Sequence, residues 1–197
     1  MKSRIKKKLS FILGTIGILL IISAVSIGII VKVSERRSAE NVKVICDELI
    51  SLLPEITDGV SEEMRDLRMP SLQLDGIDYI GVINVPDFDK ELPVSNIWNK
   101  NKVSSYPCRY TGSLYDGSLI IGGSSADGQF DFVKDIMIGE KLHFTDTRGL
   151  RYSLVVSDIR QTKDVSGESL KKRKGDLILF ARNPFAFDYT IICCSFK

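Results

Sequence analysis

The sequence predicts an all-β domain preceded by a transmembrane helix and a helical stem, and three observations carry that expectation. Leu9–Val31 is a run of 23 uncharged, mostly aliphatic residues. Val42, Ile45, Leu49 and Leu52 then follow helical spacing. From Asp75 onward the apolar period changes to two and turn residues become dense.

At about 1.5 Å per residue the first run is about 34 Å long, enough to cross a hydrocarbon core about 30 Å thick. A cleaved signal peptide has a shorter apolar region ending at small residues. Ser23-Ala24 and Ser26 imitate such a site and leave cleavage as the alternative. No polar face interrupts the run, which speaks against a helix packed on a domain core. Lys2, Arg4, Lys6, Lys7 and Lys8 precede it, against Lys32, Arg36 and Arg37 just after it. The stronger basic flank stays in the cytoplasm. The expectation is a single-pass protein of the cell membrane, with lipid around the anchor and everything beyond about residue 32 outside. The boundaries are 1–33 for the basic flank and anchor, 34–75 for the stem and 76–197 for the β domain.

Charge is unevenly divided. The 197-residue chain is +2 overall, but five basic and no acidic residues precede Lys32, leaving 22 basic against 25 acidic beyond it. The positive balance belongs to the anchor, and a mildly acidic exported domain gives no support to nucleic-acid binding.

In the stem, Glu40, Lys43, Asp47 and Glu48 alternate with the apolar stripe, Pro54 interrupts it, and Thr57-Asp58-Gly59 reads as a turn. Glu62–Met69 reads as a second short helix. The stripe serves either to pack the stem on the domain or to associate two copies. Ile80–Pro86 is strand-like, Leu92-Pro93-Val94 is short and edge-like, and Ser118–Ile121 is a buried run ended by glycines. Lys141–Thr145, a turn at Asp146–Gly149 and Arg151–Ile159 form a hairpin pattern. Leu177–Phe180 and Thr190–Cys194 suit central strands. Many short strands of this kind give a closed barrel or a sandwich.

Cys46, Cys108, Cys193 and Cys194 show no C-x-x-C pair and no histidine cluster, so neither a metal nor a cofactor is expected. Adjacent residues on a strand face opposite ways, so Cys193 and Cys194 do not bond each other. Buried thiols are the expectation, with a bridge from Cys108 to one of them as the alternative.

Several blocks, in order, carry a family resemblance from Tyr79 to Cys194. They are IGVINVP (80–86), ELPV (91–94), YPCRYTGSLYDGSLIIGGSS (106–125), QFDFVKDIMIGEKLHFTDTRGLRYSLVV (129–156) and GDLILFAR (175–182), followed by Tyr189–Cys194. Together they resemble a sortase domain, closest to the class B and class D types of Gram-positive bacteria. The resemblance implies an eight-stranded β-barrel and transpeptidation: a thiolate attacks a peptide carbonyl, a histidine moves protons and an arginine steadies developing charge.

The three residues that carry this chemistry in the family are absent at the matching positions. The histidine column falls on Ser124, the cysteine column on Arg182 and the arginine column near Tyr189. A slip of one residue offers only Gly123, Ser125 or Ala181. No residue is therefore assigned as catalytic. The expectation is a non-catalytic homologue at the cell surface that binds a sorting-signal-like peptide or a surface protein. The alternative is a divergent cysteine transpeptidase with a relocated nucleophile, for which Cys193 and Cys194 are the candidates. His143, the single histidine, lies on the face opposite Leu142 and Phe144 and reads as solvent-facing or locally hydrogen-bonded. Ser124-Ser125 shows no partnered base and reads as loop.

Two softer features remain. Lys171–Lys174 reads as a solvated turn ending at Gly175, or as a contact for an acidic partner or anionic envelope polymer. Phe185 and Phe187, with Trp98 and Tyr189, either line an apolar groove or cap the barrel.

Overall fold

The computed structural model describes residues 2–58, 68–100, 102–103, 105–183 and 186–197, leaving out the side chains of residues 2–15, 30–31 and 34–39. The chain divides into two compact units, Met1–Arg37 and Ser38–Lys197. Helix α1 spans Lys2–Leu52. In the first unit its described large aliphatic side chains are exposed, from Ile16 to Ile29. Among the described residues no helix is long and apolar enough to cross a membrane. The anchor expected over Leu9–Val31 includes positions 9–15 and 30–31, whose side chains are among those left out.

In the second unit, Val42, Cys46 and Leu49 of α1 are buried, the last two in a cluster with Leu74, Tyr79 and Val82. Their i, i+4, i+7 spacing forms one face of a helix. Leu52, expected on this stripe, is instead exposed, because the i+4 position from Leu49 is the half-buried Leu53. Thr57–Asp58, expected as a turn, is a short strand, β1. It lies parallel to Leu150–Arg151, and the Thr57 N–H donates to the Gly149 carbonyl at 2.9 Å. The reason is an open edge: this end of the neighbouring strand lacks a partner on that side, and two residues of stem supply it. The short helix expected over Glu62–Met69 lies largely outside the described residues.

The remaining strands are β2 (Leu72–Leu74), β3 (Ile77–Val85), β4 (Lys90–Ser95), β5 (Cys108–Thr111), β6 (Leu119–Ser124), β7 (Lys141–Asp146), β8 (Leu150–Thr162), β9 (Leu177–Arg182) and β10 (Tyr189–Phe196). Pairing runs β8-β10-β9-β6-β5-β4-β3, and β7 bonds both β3 and β8. That closes a ring of eight strands, with β1 and β2 as short additions. The barrel reading is therefore met, and closure gives every strand of the ring a neighbour on both sides. The expected hairpin appears as β7 and β8, which pair antiparallel from Lys141↔Val155 to Thr145↔Arg151.

Inward positions fill one core that includes Ile80, Ile83, Leu119, Ile121, Phe130, Phe144, Leu177, Leu179 and Ile192. Gly81 sits at the closure between β3 and β7, with φ +151°, and a Cβ there would lie 2.1 Å from the Thr145 carbonyl oxygen. No larger residue fits without moving one strand off the other. Near the same seam, Asp146 is fully buried; its Oδ2 accepts from the Tyr115 hydroxyl at 2.5 Å and its Oδ1 from the Arg148 and Leu150 amides. One carboxylate thereby ties the β7–β8 turn to the segment ahead of β6.

All four cysteines are free, buried thiols. Burial, then the charges of Glu91 and Asp47, pushes the Cys46 thiol up to about 12 from its ordinary 9.0. Cys194 is likewise pushed up to about 12, first by burial and then by Cys193.

Two measurements test this packing. Leu49→Ala should lower the stability of the full chain by about 2–4 kcal/mol in urea denaturation, since it removes a fully buried side chain. If the stripe served only to join two copies, monomer stability would not change. The thiols set a second expectation. An unfolded chain ionises Cys46 near its ordinary 9.0 while the native state holds the proton to about 12. The unfolded state therefore binds fewer protons in that window, and stability falls as pH rises from about 9, by at most about 1.4 kcal/mol per pH unit per thiol. Cys46→Ala should make that alkaline decline shallower.

Candidate functional site

Parallel pairing of β6 with β9 sets Ser124 beside Arg182, and antiparallel pairing of β9 with β10 sets Arg182 beside Tyr189. The three positions stand in one lateral row, so their side chains leave the same face of the sheet. With strands about 4.8 Å apart, the row spans about 10 Å. The next row is Gly122, Phe180 and Ile191, and the one after it Ile120, Ile178 and Cys193.

This face turns away from the main core and builds a second apolar cluster. Ile120, Ile178, Phe180, Ile191 and Cys193 pack there with Leu170, and Trp98, Tyr110, Val165 and Tyr189 lie against them. Trp98, Tyr110 and Phe180 touch pairwise, with centroids 5.2 to 5.6 Å apart, and Phe180 also meets Tyr189 at 6.3 Å. Gly122 makes the arrangement fit, because a Cβ there would lie 2.4 Å from Phe180 and 2.5 Å from Trp98. The rings rest directly on the backbone one row below Ser124, Arg182 and Tyr189. Trp98 and Tyr189, expected either to line an apolar groove or to cap the barrel, lie against this face. Tyr110 and Phe180 join them unexpected, although the alternation of β5 and β9 carries their signal. Phe187 is 92 % exposed and lines nothing, and Phe185 lies outside the described residues.

Local hydrogen bonds fix the row. The Ser124 N–H donates to the side-chain oxygen of Gln129 and the Ser124 hydroxyl accepts from Ala126 N–H, each at 3.2 Å. Ser125 N–H donates to the Arg182 carbonyl at 2.9 Å, extending the β6–β9 ladder beyond the strand. Gln129 is 3 % exposed, and its Nε2 has no partner among the described residues. The Arg182 side chain is exposed, and no acidic group pairs with it among the described residues. The row thus offers one hydroxyl, one cation and one phenol, with aromatic rings beneath. It holds no thiol and no imidazole.

The other candidates lie elsewhere. His143 is half-buried, with Nδ1 3.2 Å from Ser153 Oγ, which matches the local hydrogen bond expected of it. Burial, then Arg151 and Lys141, lowers its affinity for a proton. Cys193 is on the outer cluster and Cys194 in the main core, on opposite faces as adjacent strand residues must be. Burial raises both thiols, the reverse of what a nucleophile needs. Among the described residues no group of histidine, cysteine and carboxylate side chains could hold a metal ion.

No protein-family model matches the chain, and no curated protein matches it. Solved structures do. Sortase A from Corynebacterium diphtheriae aligns with TM-score 0.53 at 15 % identity, over 83 % of this chain and 84 % of that one. A Clostridium perfringens sortase D5 transpeptidase aligns with TM-score 0.53 at 12 % identity, over 83 % and 98 %. Sortase C1 from Streptococcus agalactiae gives TM-score 0.53 at 14 % identity, over 72 % and 79 %. The barrel is a sortase fold. At such identities the likeness defines the architecture and leaves the chemistry to the residues of the row.

Phe180→Ala should lower stability by about 3–5 kcal/mol, because that ring is 4 % exposed and fills the space over Gly122. Thermal unfolding against wild type reads this directly. A change below about 1 kcal/mol would mean the rings do not pack as described.

Proposed function

We propose that this chain is a non-catalytic, sortase-like binding module, held at a Gram-positive cell surface by its N-terminal segment. It engages a sorting-signal-like peptide or a surface protein without cleaving it. The observation that supports the reading is the row itself: Ser124, Arg182 and Tyr189 adjoin across three strands where a sortase would need a proton carrier, a thiolate and a cation. A guanidinium cannot serve as nucleophile, but it donates well to carboxylates and peptide carbonyls. The aromatic floor of Trp98, Tyr110 and Phe180 supplies apolar surface for a peptide side chain. The closeness to class B and class D sortases rests on the sequence blocks alone.

The anchor rests on the aliphatic run Leu9–Val31 and on its basic flank. A reporter fused after Lys197 is expected to behave as exported; reporter activity in the cytoplasm would end the surface reading.

For the row, the full chain in neutral detergent is incubated with LPxTG- and NPxTN-type peptides. No cleavage or transfer is expected. Arg182→Ala should weaken any peptide binding several-fold without creating activity. Turnover by the unmodified protein, abolished by Cys193→Ala or Cys194→Ala, would overturn the reading in favour of a relocated nucleophile.

A further inference from the structure

Four residues along β10 from Tyr189, roughly 13 Å at strand spacing, the same face opens into a second, chemically different feature. Helix α2 (Gly167–Lys171) precedes Lys172, Arg173 and Lys174, which border a recess of about 600 Å³. Its wall includes Arg160 and Asp158 of β8 and Cys193 and Ser195 of β10. The strands explain why it exists. Register shifts between Cys193 and Cys194, which pair with Asp158 and Val156 and leave Ser157 as the extra residue of a bulge. A bulge bends the strand locally. The Ser157 hydroxyl donates to the Cys193 carbonyl at 3.0 Å and holds the bend.

The charges in the recess are unbalanced. Arg160, Lys172, Arg173 and Lys174 face one carboxylate, Asp158, whose Oδ2 is already bonded to Arg160 Nε at 2.8 Å. Asp164 lies within electrostatic reach of Arg173, and its carboxylate is engaged by the Ser166 amide. Arg173 is half-buried, and its Nε is a buried donor with no partner among the described residues. An unmatched guanidinium donor is costly unless something accepts from it. The surplus is local, since the chain beyond Val31 carries more acidic than basic residues.

We propose that this recess binds a phosphorylated ligand, with Arg173 as its anchor and Lys172 and Lys174 as flanking charges. A phosphate presents oxygens to the terminal nitrogens of the guanidinium and keeps others for the two ammonium groups. A single carboxylate would occupy those nitrogens and leave the lysines unneutralised. The volume exceeds that of one phosphate, so the ligand carries an organic or polymeric remainder.

The test titrates the full chain, in neutral detergent at low ionic strength, with three probes followed by calorimetry. These are inorganic tripolyphosphate, glycerophosphoglycerol as the headgroup of a phospholipid, and citrate as a carboxylate whose charge lies between theirs. At least one phosphate probe should bind saturably and at least tenfold tighter than citrate. Arg173→Gln should weaken that binding tenfold or more, and Lys141→Gln, on β7, should leave it unchanged. The pair Lys172→Gln and Lys174→Gln alters only exposed side chains, so it decides the matter if Arg173→Gln fails to fold. It should weaken binding and flatten the salt dependence. Tighter binding of glycerophosphoglycerol would assign the ligand to a lipid headgroup, and tighter binding of tripolyphosphate to a free phosphate chain. Equal affinity for citrate, no saturable phosphate binding, or full affinity in the lysine pair would overturn the proposal.

Discussion

The parallel pairing of β6 with β9 is the constraint on which the remaining architecture rests. Its six paired positions, Leu119↔Leu177 to Ser124↔Arg182, join segments separated by the whole β7–β8 hairpin and helix α2. Because side chains alternate, this one register sends Leu119, Ile121, Leu177 and Leu179 inward and Ile120, Ile178 and Phe180 outward. A slip by one residue would exchange the two sets and bury Arg182. Core, aromatic floor and polar row are consequences of the same alignment.

A gradient of chemistry runs along the outward face. At one end stands the exposed cation of Arg182, in the middle the rings of Trp98, Tyr110 and Phe180, and at the other end the basic recess near Cys193. Two polar ends separated by an apolar floor suit an extended ligand better than a compact one. The floor also carries mechanical weight, because Gly122 admits the rings against the backbone and Leu170 of α2 closes them from the far side.

Much of this is legible in the sequence. Apolar alternation and dense turns leave a closed barrel or a sandwich and the family-like blocks select the barrel, the hairpin of β7 and β8 has clear turn residues at Asp146–Gly149, and the opposed faces of Cys193 and Cys194 follow from strand geometry. The order of the family-like blocks was enough to bring Ser124, Arg182 and Tyr189 into one row, although they are far apart in the chain. What stayed hidden depended on partners distant in sequence. Thr57-Asp58 has turn chemistry, yet an unfilled edge of β8 drew it into a strand. Leu52 looked like part of the stripe because period 3.6 leaves one residue of ambiguity per turn. Lys171–Lys174 reads as a solvated turn or as a contact for an acidic partner or anionic polymer, and nothing local announces that a bulge at Ser157 shapes a recess beside it.

Closure of the ring through β7 also governs how the chain reaches this state. The β3–β4, β7–β8 and β9–β10 pairs are neighbours in sequence, whereas β3 with β7 and β6 with β9 must bring together residues some sixty positions apart. Loop-closure entropy is met before those contacts return anything, which places folding of such barrels on the millisecond-to-second scale. Until Gly81 settles against Thr145, β3 and β7 present unsatisfied edges to any other strand nearby. A newly made copy is therefore exposed to edge-to-edge aggregation until these long-range seams close.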